Sequence, residues 1–297
     1  SALITAPFGE PFAFVATASV YVPEVFATLR DIAATRRTVH EVKRDLKGAR
    51  KVLRDRLAVH PKAADMVLAL LQNPTTGRGD MLALVQTDPA LAAAVMRAAN
   101  SVHLGYARQI GGIRQANVML GETLVSGLVA GRVADRVFDK KPMDYPEWLW
   151  PHSIVMASTC AVLARRTAIR PDEAYTLGLL HDVGWLMAAS NHHELSDHDR
   201  SHGRLGADML SRWNFPELFV QAVHHHHATV DASVSPQARL LIAAHAFAAE
   251  LGANGPEASV SVIEAMHIMH LDVRASTILN EIESELVTQT SILEPAL

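Results

Sequence analysis

The sequence predicts an all-α protein, and three observations carry that prediction. Beyond about residue 60, apolar residues recur at steps of three and four, the spacing that gathers them on one face of a helix. Strand-type alternation hardly occurs after residue 25, and there is no repeat of fixed period. Aromatic residues make up only 5% of the 297 residues while alanine is abundant, a composition suited to close packing of helix on helix.

The elements follow in chain order. Pro11 to Pro23 is apolar and holds the strand-like residues Phe12-Ala13-Phe14-Val15, a short extended segment. From Pro23 to Leu57 an apolar stripe runs through Val25, Leu29 and Ile32, then Val39, Val42, Leu46, Ala49, Leu53 and Leu57. Thr38 and Glu41 are spaced as a capping box, so this stretch reads as two helices broken near Thr35. Its outer face is rich in Arg and Lys, either a solvated face or a helical linker whose narrow stripe would pair two copies in a homodimer. Residues 1–56 are therefore expected to form an N-terminal segment and helical arm, or the remnant of a regulatory domain. Pro61 marks the boundary to a helical domain over 57–297.

Within that domain helices are expected over Ala64 to Leu71, Asp80 to Val85, Pro89 to Ala99 and Arg114 to Val137. Loops are expected at Asn73-Pro74, Gly77-Arg78-Gly79 and Gly111-Gly112. Trp148 to Ala164 is apolar, but Pro151, His152, Ser153 and Thr159 make it a buried helix rather than a membrane span. Asp172 and Glu173, just after Pro171, begin a helix whose apolar run Tyr175 to Leu180 ends at His181 and Asp182. Further helices start at His202, run from Phe215 to Val223, and cover Leu240 to Phe247.

Composition narrows the function classes. The chain is 49% hydrophobic and 20% charged, with a mean hydropathy of +0.12, so it can bury a core and is not a disordered tail. A net charge of -4 and an isoelectric point near 6.5 provide no global basic field for nucleic acid or anionic lipid. The one cysteine, Cys160, excludes an intrachain disulfide framework and fits a reducing, cytoplasmic setting. No basic segment precedes the apolar stretch near the start, so a signal peptide is not expected. The chain begins Ser1-Ala2 without a methionine, and sequence upstream is expected.

Histidine is over-represented: there are 16, most of them between His152 and His270. His152 and His245 lie in apolar helices, where a histidine without a partner is costly. His181 and Asp182 pair an imidazole with a carboxylate, a donor set suited to Fe, Mn, Zn or similar ions. His202 opens a helix of small residues, and four consecutive histidines, His224 to His227, cover every side of a helix, so at most two of them can enter one site. Helical domains that bury histidines from several helices commonly do so around an ion; the alternative is a relic cluster packed as polar core. Other candidates are weaker. Cys160 sits among small residues in a helix, the serines lack a nucleophile elbow, and Gly111-Gly112 has no phosphate-loop context. His192, His193 and His198 belong to a polar loop. Trp148, Trp150, Trp185 and Trp213 read as wedges between helices, Trp185 alone being a candidate to stack on a nucleotide base.

The order of these words resembles the HD superfamily of helical metal-dependent phosphohydrolases and their relatives. More closely it resembles the HDOD family, an HD-related output domain of bacterial signalling proteins. The resemblance rests on Asp88-Pro89-Ala90-Leu91, Ala99-Asn100-Ser101, Gln115-Ala116 with Leu120-Gly121, and Trp150-x-His152-Ser153. It rests also on Gly178-Leu179-Leu180-His181-Asp182-Val183-Gly184, Trp213-x-Phe215-Pro216 and Ala222-Val223-x-x-His226-His227. It covers about residues 57 to 250. It implies a multi-helix bundle and selects His226 and His227 from the run of four. The metal ligands it implies are His152, His181, Asp182, His202, His226, His227 and His245, around one or two divalent ions of Fe, Mn, Zn or Mg.

Three departures bear on activity. Relatives that cleave cyclic dinucleotides carry a lysine three residues after the Asp of the HD pair, where this chain has Trp185. They carry an Asp-Gly…Gly-Tyr-Pro segment after the paired histidines, where this chain has Ala228 to Ala232, and a last aspartate ligand where it has His245. The lysine would stabilise phosphoryl charge. The expected function is thus a non-catalytic signalling module that acts through a protein partner and keeps a metal site. The alternative is a metal-dependent phosphohydrolase acting on a nucleotide or cyclic dinucleotide.

Overall fold

A computed structural model describes residues 59–60, 63–67, 78–102, 109–138, 146–190, 201–231, 233–253, 255 and 258–291. After a helical stretch over 63–67 these residues form twelve α-helices and no strand. They are α1 (Arg78–Thr87), α2 (Pro89–Val102), α3 (Ile113–Leu120), α4 (Glu122–Phe138), α5 (Leu149–Ala164) and α6 (Pro171–Leu180). The chain continues through α7 (Val183–Ser190), α8 (Ser201–Arg212), α9 (Glu217–His225), α10 (Pro236–Glu250), α11 (Val262–Ile268) and α12 (Ala275–Ser291). The expected extended segment and arm over 1–56, and His192, His193 and His198, lie outside the described residues.

Helix α5 is the axis of the bundle. It is apolar on every side, so it is buried on every side, and α6, α10 and α12 pack around it. Its far end is tied to α12 by Arg166, which forks onto both oxygens of Glu281, and by Arg165 on Glu285. Helices α7, α8 and α9 follow one another in contact, and α9 closes back on α10. A second group, α1 to α4, packs around α2 and reaches the first through α6. No described helix is long and apolar enough to cross a membrane.

Local chemistry explains where the helices begin and end. Pro171 and Pro236 occupy first turns, where a missing N–H costs nothing, and Ser235 caps α10 by accepting the Ala238 N–H at 3.2 Å. Ser261 and Glu264 form a complete capping box on α11. Asp88 caps α2 through the Leu91 N–H and also accepts the His60 N–H, both at 2.9 Å. Asn100 braces the next loop, its amide donating to the Ile110 carbonyl while its oxygen accepts the Ile110 N–H. Two of the family-like words, at Asp88 and Asn100, are thus structural clips.

Two expectations are corrected. Arg114 to Val137 is not one helix: α3 stops at Leu120 and α4 starts at Glu122, because Gly121 takes a φ of 74°, a conformation that ends a helix and favours glycine. Arg78 and Gly79, read as loop, form the first turn of α1.

Candidate metal centre

The ends of α5, α6, α8 and α9 and the interior of α10 meet at one point. His181 is the C-cap of α6 and Asp182 follows it, so both leave the helix where its direction is lost and face the neighbouring elements. His152 comes from the first turn of α5, His202 from the first turn of α8, His226 and His227 from the end of α9, and His245 from the middle of α10. All seven residues singled out in the sequence converge. His224 and His225, on the opposite faces of the same turn, are exposed.

Asp182 stands at the centre. Its Oδ2 lies 3.2 Å from Nε2 of His181 and 3.8 Å from Nε2 of His152, and its Oδ1 lies 3.1 Å from Nε2 of His202 and 3.4 Å from Nε2 of His226. Nε2 of His202 is in turn 3.1 Å from Nε2 of both His226 and His227. The donors fall into two groups, Asp182 with His202, His226 and His227, and His152 with His181 and His245; within each, the ligand atoms lie within 4.8 Å of one another. The His245 ring is 5.4 Å from that of His152 and 5.0 Å from that of His181.

The backbone orients the rings. Nδ1 of His181 lies 2.7 Å from the Gly178 carbonyl and Nδ1 of His226 2.5 Å from the Val223 carbonyl, contacts in which Nδ1–H must donate. In the neutral ring that leaves the Nε2 lone pair pointing at the carboxylate. A lone pair facing an anion at this range is repulsive unless a cation lies between them, and a backbone-anchored imidazole is how metal-ligating histidines are usually held. Nε2 of His245, buried in α10, meets no hydrogen-bonding group. The donor set therefore fits a metal ion.

Burial pushes the Asp182 carboxyl up, but His181, His202 and His226 outweigh it and hold the group well below the usual carboxylate range. Burial pushes His226 and His245 down, and pushes His227 down to about 2. Those three rings are neutral at pH 7, as ligation requires.

Glycines let the helices approach closely enough to bring the donors together. A Cβ added to Gly178 would lie 2.6 Å from the Met156 carbonyl of α5, and one on Gly184 would lie 1.9 Å from the His202 carbonyl of α8. Gly203 faces the Val223 carbonyl, and a Cβ on Gly255 would lie 2.5 Å from Nδ1 of His152. The site is also closed. His152, His181, Asp182, His202, His226 and His245 are all at most 4% exposed, and only His227 is half-buried. Trp185 is buried too, its indole stacked on His202 at 5.2 Å and set edge-on to Trp148, which itself meets the edge of His152. Trp185 has no face left for a nucleotide base, which corrects that expectation. What sequence reading missed was the orienting role of the Gly178 and Val223 carbonyls and of the glycine contacts; the Gly178-x-x-His181 spacing and the glycines Gly203 and Gly206 beside His202 were the available signal.

Comparison with known proteins places this geometry. The HDOD domain model matches residues 57–199, and the HD domain model matches residues 149–276, the span that holds all seven donors. The chain carries an HDOD domain. Among solved structures, the MmoQ response regulator of Methylococcus capsulatus shares the HDOD fold with a TM-score of 0.61 and 22% identity, over 79% of this chain and 99% of that one. A virulence factor of Campylobacter jejuni has a TM-score of 0.51 at 14% identity, over 80% of this chain and 96% of its own. At these identities the likeness is one of fold. By sequence, an uncharacterised protein of Treponema pallidum is 24% identical over 198 residues, 58% of this chain and 38% of that protein. Ribonuclease Y of Fervidobacterium nodosum is 30% identical over 105 residues, 35% of this chain and 19% of the enzyme. The chain thus spans well under two thirds of these relatives' length.

Proposed function

We propose that this chain is a regulatory module of signal transduction that holds a metal centre, acts through a protein partner and does not turn over phosphoesters. The observation that carries this reading is a closed site with its donors intact. Seven donors converge, yet all but His227 are buried and Trp185 stacks on His202, where catalytic relatives would present a lysine to phosphate. The ligands of the proposed centre are His152, His181, Asp182, His202, His226, His227 and His245. Six imidazoles and one carboxylate suit one or two ions of Fe, Mn or Zn better than Mg, which prefers oxygen donors and retained water. A bound dication would supply a Lewis acid. In this closed setting the donors that would hold it would fix the ends of α5, α6, α8 and α9 against α10, a shape a partner can read. The lone buried cysteine is in keeping with a cytoplasmic protein.

Incubating metal-loaded protein with cyclic dinucleotides, a nucleotide phosphate and single-stranded RNA tests this directly. The expected result is no turnover. The second reading, a metal-dependent phosphohydrolase, is favoured by the complete donor set and the partial likeness to ribonuclease Y. Hydrolysis of any of these substrates that is lost in Asp182→Ala would establish it and overturn the first.

A further inference from the structure

We propose that the groove along α11 is the seat of the chain's own basic stretch, residues 36–57, bound within the same molecule. The inference is independent of the metal-centre reading. Helix α11 and the loops on either side of it border a groove of about 940 Å3. Val230, Val260, Ile263, Met266 and Leu271 make its surface apolar, and Ile263 is 82% exposed, more than any other large apolar side chain among the described residues. Two exposed acids, Glu264 and Asp272, also line it. An apolar groove edged with carboxylates suits a segment that is amphipathic and basic.

The charge of the chain is divided to match. From Pro216 to Leu297 there are ten acidic residues against two basic ones, Arg239 and Arg274. Of those acids, Glu281 and Glu285 serve the ties to α5, whereas Glu264 and Asp272 line the groove. Between Arg36 and Arg56 there are nine basic residues against three acidic ones, and Val39, Val42, Leu46, Ala49 and Leu53 recur among them at helical spacing. Seated in the groove, that stripe would cover Ile263 while its lysines and arginines meet Glu264 and Asp272. The distance is within reach. His60 stacks on Trp150 in α5, Gly255 lies against His152 two residues further along, and Ser259 and Val260 of the groove follow Gly255 in the chain. A helix of about twenty residues spans on the order of 30 Å. Tethering also gives the segment an effective concentration of about a millimolar, so a weak contact suffices within one molecule, whereas a second copy must come from solution.

Limited trypsin digestion of the full chain tests the inference, because the nine lysines and arginines from Arg36 to Arg56 are cleavage sites. Cleavage there is expected to be about fivefold or more slower in the wild type than in Ile263→Ser/Asp272→Asn, which removes the apolar anchor and one carboxylate without adding a site. Val118→Ser, at an equally exposed side chain on α3, is expected to match the wild type. The protection is expected to hold when the protein is diluted about a hundredfold, as an intramolecular contact must. Equal cleavage of the wild type and the double variant would overturn the proposal, and so would protection lost to the same extent in Val118→Ser. Protection that fades on dilution would overturn seating within one molecule and assign the groove to a second copy. If the double variant does not fold, Asp272→Asn alone, at an exposed position, is expected to lose part of the protection, and no loss there would overturn the charge pairing.

Discussion

Asp182 is the residue on which the centre turns, because four imidazoles from three separate elements and its own neighbour face its two oxygens. Replacing it with alanine removes the one carboxylate among the described donors, so Asp182→Ala is expected to weaken metal binding at least tenfold, measured by metal content after dialysis. The histidines set a pH dependence. His227 is held near 2 against an ordinary 6.5, and His226 and His245 are also depressed, so the unfolded chain binds protons that the folded chain does not as pH falls below about 6.5. Stability contributed by these rings is present above that pH and lost progressively below it. Asp88 acts with the opposite sign: burial raises it to about 6, so the folded state binds the extra proton between roughly pH 4 and 6 and its contribution falls as pH rises through that window. With three depressed imidazoles against one raised carboxyl, the urea midpoint of metal-free protein is expected to drop steadily from pH 7 to pH 5; in Asp88→Asn the drop should be steeper. At this scale the sequence was informative, since His152, His245 and the His181-Asp182 pair stood out as polar residues in apolar helices. The choice of His226 and His227 over His224 and His225 needed the family pattern, because four consecutive histidines look alike until the helix phase is known.

The elements position these residues through bare backbone contacts, which a sequence records only as scattered glycines. Gly184 has the His202 carbonyl where a Cβ would go, so Gly184→Ala must push α7 away from α8 and carry His202 off Asp182. Overpacking of this kind costs about 1–3 kcal/mol or more, read as a lower melting temperature, and metal affinity should fall with it. Gly131, inside α4 with no described residue near its Cβ position, is the control: Gly131→Ala is expected to be neutral or to stabilise by roughly 0.5–1 kcal/mol, with no change in metal binding. Trp185 is the aromatic counterpart, wedged between His202 and Trp148. Trp185→Ala should cost about 3–5 kcal/mol as a large-to-small change in the core, and should loosen the ion by freeing the His202 ring. Helix existence was readable from periodicity, whereas the break at Gly121 was not: apolar spacing continues across it, and only the backbone angle shows that the chain turns.

At the scale of the whole molecule, the centre joins the end of α6 to α5, α8, α9 and α10, and so ties together helices that are far apart in sequence. Ligand binding to the folded state alone raises stability by mass action, so loading with Zn2+ or Mn2+ at about a hundredfold excess over its dissociation constant should stabilise the protein by roughly 2.7 kcal/mol. The bundle and its all-α class could be read from composition and spacing. The closure of the site could not, because burial of Trp185 against His202 depends on where two separate helices cross. Closure is also the feature on which the proposed non-catalytic reading rests. The measurement that bears most directly on this account is elemental analysis of purified wild-type protein beside Asp182→Ala. A transition metal at one or more equivalents per chain in the wild type, lost from the variant, is the predicted result. A wild-type protein that carries no metal and acquires none on dialysis against Fe2+, Mn2+ or Zn2+ would contradict it.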